Sequence, residues 1–124
     1  MQQRIAIPET FQLLGHTYTV KLIPAADWPY DQDVYGWSDK EERWIHICDE
    51  PRARSTVEHT FFHELAHHML WCLGRDSLSD DETFVDLLGG LLHQSFRSAQ
   101  GDAWAQLDAV LLEREVRHLT AVSA

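Results

Sequence analysis

An α+β fold, with strands first and helices after, is predicted by two observations. Period-two alternation is confined to the part of the chain before Cys48, and helical spacing with capping signals fills the part after it. The chain has 124 residues, of which 44% are hydrophobic and 24% charged. That is the makeup of one globular domain with a single core, so residues 1–124 are read as one unit.

The elements follow in order. In TFQLLGHTYTVKLIP an apolar run meets Gly15 and His16. Tyr18, Val20 and Leu22 then alternate with Thr17, Thr19 and Lys21, which predicts a hairpin closed by Pro24. After the loop AADWPYDQD, the segments Val34 to Trp37 and Arg43 to Cys48 flank the polar SDKEE and predict a second hairpin. Its return strand sets Trp44, His46 and Cys48 against Ile45 and Ile47. The expectation is a small N-terminal antiparallel sheet of two hairpins followed by three helices. Ser55 and Glu58 have the spacing of a capping box, so the first helix is expected to start there and stop at Gly74. Asp80 or Ser79 can cap a second helix reaching about Ser98, and Asp102 a third reaching about His118.

Composition narrows the function classes. A net charge of −10 repels phosphate backbones and argues against nucleic acid as a partner. No apolar run is long enough to span a bilayer, and MQQRIAIPET lacks the apolar core of a signal peptide, so a cytoplasmic location is the default expectation. Cys48 and Cys72 form no CxxC pair and read as reduced, buried residues.

The stretch EHTFFHELAHHML carries four histidines among apolar residues. His63, Glu64 and His67 form HExxH, a zinc-binding and general-base motif. In a helix the two histidines lie about 40° apart on one face, so both imidazoles can reach one ion. Phe61, Phe62, Leu65, Ala66, Met69, Cys72 and Leu73 make the rest of this helix apolar nearly all round, which predicts a central, buried position. Buried polar groups without partners cost roughly 1–3 kcal/mol each, and a metal would satisfy them. HExxH alone arises by chance in roughly 4 of 100 shuffled chains of this composition. The second helix supplies the additional signal. Glu82, Asp86, Gly89 and His93 fall on one stripe there, apart from the apolar Phe84, Leu88 and Leu91. Catalytic zinc takes three protein ligands and keeps one position open, and Glu82 is the natural third ligand. Asp86 can accept the free ring N–H of His63 or His67, and Gly89 can allow close approach of the two helices.

HExxH followed by ETFVD on the next helix resembles the gluzincin metallopeptidases. The YGW strand, the alternating WIHI strand before the helix and the LL after the aspartate are similar to the ImmA/IrrE group and related small phage or prophage metallopeptidases. The likeness covers roughly Val34 to Phe96. It implies a zincin-like fold with HExxH on the first central helix, zinc held by His63, His67 and Glu82, and hydrolysis of a peptide or protein substrate. A dedicated partner such as a repressor is the kind of substrate that group implies.

The motif assigns Glu64 as general base, and the strand Arg43 to Cys48 as an edge along which an extended substrate could lie. His59, one turn before His63, is a candidate cleft residue, as are His93 and His46. His68 points about 140° from His63 and is not a ligand candidate; His16 and His118 read as surface residues. The tryptophans read as core or cleft wall. The final helix is expected to complete the core or to meet another subunit. The connection from His67 to Glu82 is short, and no counterpart of the tyrosine or histidine that stabilises the oxyanion in larger gluzincins is evident. The missing oxyanion residue, the small size and the acidic surface sustain an alternative, a zinc-stabilised interaction module with little or no catalysis.

Overall fold

A computed structural model of the chain describes residues 5–123. The fold is α+β: four strands form one sheet and four helices follow them. Strands β1 (Thr10–Leu13) and β2 (His16–Ile23) make the first hairpin, with Leu14 and Gly15 at positive φ in its turn. A single 3-10 turn at Ala25–Asp27 leads on towards β3 (Gly36–Asp39), which pairs antiparallel with β4 (Trp44–Cys48).

The sheet corrects one expectation. Its order is β1-β2-β4-β3, and β2 runs parallel to β4, with Val20 opposite Ile45 and Leu22 opposite Ile47. The sheet is therefore mixed rather than antiparallel throughout. Each hairpin is specified locally by its turn, but the way two hairpins join depends on which faces can share a core. Here Ile45 and Ile47, both fully buried, meet Val57, Phe61, Phe62 and Leu65 of the first helix, while Phe11, Leu13 and Val20 pack around them. Burial of side chains of this size contributes roughly 1.5–3 kcal/mol each.

Helix α1 (Arg54–Cys72) crosses this face of the sheet. Its start differs from the capping-box expectation. Ala53 is the N-cap and makes no side-chain cap, and Glu58 points inward instead. Its end is as expected: Gly74 has φ +70°, its N–H donates to Trp71 O, and Arg75 N–H donates to Leu70 O at 2.8 Å. That pair of bonds satisfies two carbonyls the helix would otherwise leave open.

The helix count also needs correction, because a four-residue helix α2 (Asp76–Ser79) lies between the two expected helices. Helix α3 (Glu82–Ser98) is then capped by Asp81, whose carboxylate accepts from Phe84 N–H at 3.1 Å, rather than by Ser79 or Asp80. Asp102 does accept from Ala105 N–H at the start of the last helix, α4 (Ala103–Ser123), which continues past His118. Residues 103–121 of α4 are exposed throughout, Trp104, Leu107 and Leu111 included, so this helix does not complete the core of the chain. No described helix is long and apolar enough to cross a membrane. Both cysteines are free; Cys48 is buried and Cys72 half-buried.

Candidate functional site

α1 and α3 pack so closely that a Cβ on Gly89 would stand 2.8 Å from His63 Cα and 2.9 Å from its backbone nitrogen. Only glycine fits there, and the contact brings the polar stripes of the two helices face to face. Gly36 does the same for β3: a Cβ there would lie 2.7 Å from Thr60 Cγ2 and 2.9 Å from Glu64 Cγ. Two small residues thus press a strand and a helix against the HExxH segment from different sides.

Between them His63, His67 and Glu82 come together. His63 Nε2 is 3.1 Å from one Glu82 oxygen and His67 Nε2 is 3.2 Å from the other. One donor atom from each of the three residues lies within 4.8 Å of the others. The opposite ring nitrogens are occupied. His63 Nδ1 is 3.2 Å from Asp86 Oδ1, and His67 Nδ1 is 2.8 Å from the Ser79 hydroxyl. Two imidazoles and a carboxylate converging through their outer atoms, with the inner nitrogens held by other partners, are a donor set that could hold a metal ion.

Electrostatics sort the ionisable groups. Burial holds the His67 imidazole below its ordinary range, against the opposing pull of Glu82, and so favours the neutral form that can donate a lone pair. Asp86 is held below the usual carboxylate range, first by its hydrogen bond with His59 and then by that with His63. Glu64 is the most perturbed. The residue is 6% exposed, and burial pushes its carboxyl up to about 7, with Glu82 adding to the effect and His63 and the Ser38 hydroxyl opposing it. Ser38 Oγ–H donates to Glu64 Oε2 at 3.0 Å.

A cleft of ≈ 340 Å³ opens onto this group, lined by residues 33–36 on one side and by His59, Thr60, His63, Glu82 and Asp86 on the other. His59 faces it, with Nε2 3.0 Å from Asp86 Oδ1. His93 does not line the cleft: it is buried, 3.0 Å from Glu58 Oε1 and stacked on Phe62. His46 lies on the opposite face of the sheet, stacked on Trp44 and hydrogen-bonded to the Tyr30 hydroxyl at 3.0 Å. His68 Nε2–H donates to Trp44 O at 3.1 Å, away from the donor group. Trp71 forms part of the wall behind His67, with ring centroids 5.5 Å apart.

β4 is also not an edge. It is paired on both sides, and the open edge next to Glu64 belongs to β3. Reading the sequence also missed Ser79 and Ser38. Ser79 carried only a capping signal, and Ser38 lay in a stretch read as a turn; no pattern in either segment indicates the imidazole or carboxylate it meets. Comparison with protein-family models, with curated proteins and with solved structures finds no match to the chain.

Proposed function

We propose that the chain is a zinc-dependent peptidase of the minimal gluzincin type, close in design to the ImmA/IrrE group. The observation that carries this reading is the convergence of His63 Nε2, His67 Nε2 and a Glu82 oxygen beside a buried Glu64. Bound by those three residues, zinc would supply a Lewis acid that polarises a carbonyl and acidifies a water. Glu64 has the properties of the partner such chemistry needs. Its carboxyl is desolvated, its affinity for protons is raised to about 7, and Ser38 fixes its orientation, so it can take a proton near neutral pH and return it to a leaving amine. An extended peptide adding to the open edge of β3 would pass over Glu64, with main-chain hydrogen bonds setting its register.

The alternative, a zinc-stabilised module that cleaves nothing, shares the ligand set. Structural zinc sites are closed by four protein ligands, whereas this group has three donors and opens onto a cleft, which favours catalysis. Glu64→Gln separates the two. Hydrolysis of a peptide library by the zinc-loaded chain is expected to fall by at least about 100-fold, with zinc retained, because general-base assistance is lost. Undiminished turnover in that variant would remove Glu64 from its role.

A further inference from the structure

Ser79 occupies the side of His67 turned away from the donor group. Its hydroxyl is 2.8 Å from His67 Nδ1. Nε2 is turned to Glu82, so its lone pair can reach an ion held there when the ring proton sits on Nδ1 and is donated to the Ser79 hydroxyl. The residue is itself tightly fixed. It is 1% exposed, its own N–H donates to Arg75 O at 3.1 Å, and α2, which ends at Ser79, is tied at its other end to the β3-β4 turn by Lys40 Nζ 2.9 Å from Asp76 Oδ2. α2 thus delivers one buried hydroxyl to one imidazole.

We propose that Ser79 is a positioning residue for His67, holding the Nδ1–H tautomer and the ring orientation that leave the Nε2 lone pair facing His63 and Glu82. The proposal rests on the metal-binding reading of that group. It also separates the two histidines in kind. His63 is held by a carboxylate, Asp86, whose side chain is 58% exposed, whereas His67 is held by a neutral, buried residue. A carboxylate partner makes an imidazole more basic as well as orienting it; a hydroxyl chiefly orients it. Ser79 should therefore govern how well the site is formed, with less effect on the charge it carries.

The test compares full-length wild type, Ser79→Ala and Ser79→Thr. Zn²⁺ affinity is measured by competition with a chromophoric chelator, coordination by the visible absorption of the Co²⁺-loaded chain, and the metal-free wild-type His67 tautomer by imidazole ¹⁵N NMR. We expect the Nδ1–H tautomer in wild type. Zn²⁺ affinity should fall about 10- to 100-fold in Ser79→Ala, the range found for partners of metal-bound histidines. Altered Co²⁺ bands should accompany that loss, and Ser79→Thr, which keeps the hydroxyl, should recover most of the affinity. An affinity within twofold of wild type and an unchanged Co²⁺ spectrum in Ser79→Ala would overturn the proposal. So would an Nε2–H tautomer in the metal-free wild type, a result that needs no variant to fold. A wild type that shows the Nδ1–H tautomer but takes up no zinc would instead refute the metal reading and leave the hold of Ser79 on His67 standing.

Discussion

At Glu58 a carboxylate that is 2% exposed is held by His93 at 3.0 Å, by Arg54 Nε at 3.2 Å and by the Ile5 N–H at 3.4 Å. Burial pushes its carboxyl up, but the hydrogen bonds from His93, Arg54 and Ile5 outweigh it and leave the group below its ordinary range. A carboxyl whose folded value is depressed contributes stability that is present above its ordinary value and is lost as pH falls through the folded one. Wild-type stability is therefore expected to decline as pH drops below about 4. Glu58→Gln should be roughly 1–3 kcal/mol less stable at pH 7 and show a flatter acid limb in urea titrations. Parallel acid limbs for the two proteins would assign the acid sensitivity elsewhere. Glu58 also shows where single-residue reading of the sequence reached its limit. The spacing from Ser55 to Glu58 satisfies a capping box, yet a buried histidine 35 positions away offers the carboxylate a better partner, and that partner cannot be seen from local spacing. That His63, His67, Glu82 and Asp86 come together was legible because helical spacing puts each pair on one stripe of its helix, whereas Glu64, which turns to Ser38 of β3, was picked out by the HExxH motif.

Elements come together here through small residues. α3 approaches α1 at Gly89, where a methyl group would meet the His63 backbone rather than a flexible side chain, so the helices must separate to admit it. Gly89→Ala is expected to cost roughly 1–3 kcal/mol as an overpacking substitution. It should also weaken Zn²⁺ binding more than tenfold, because Glu82 and Asp86 move away from His63 and His67 with the helix. Equal zinc affinity in wild type and variant would show that the donor group does not depend on this contact. At the same scale, helix identity and the Gly74 stop were legible from period and cap chemistry, as was each hairpin. The parallel pairing of β2 with β4 was not: it puts Ile45 and Ile47 over α1 beside Val20, a choice made by the shared core and not by any turn. α2 escaped notice because four residues are too few to show a helical period.

Over the whole molecule, one buried cluster lies between a face of the sheet and α1 and a second forms around Ile23, Trp28 and Cys48, with α3 packed on α1 and α4 exposed. Since residues 103–121 are all exposed, removing residues 101–124 is expected to forfeit little of the buried core. The thermal midpoint of the shortened chain is expected to stay within about 3 °C of the full chain, and zinc affinity to be unchanged. A larger loss measured by calorimetry would mean that α4 covers apolar surface in solution, in its own chain or in another copy. The fold class could be read from the order of alternating and helical segments; the disposition of the last helix could not, because its apolar residues suit a core and an interface equally well.

Elemental analysis tests whether His63, His67 and Glu82 hold a metal. The wild-type chain, purified without added metal and then equilibrated with zinc and desalted, should carry about one zinc per chain, matching the one donor group among the described residues. His63→Ala, folded by circular dichroism, should carry none above trace. A wild type holding only a substoichiometric trace, or a His63→Ala chain that holds as much zinc as wild type, would mean that these three residues are not a metal site.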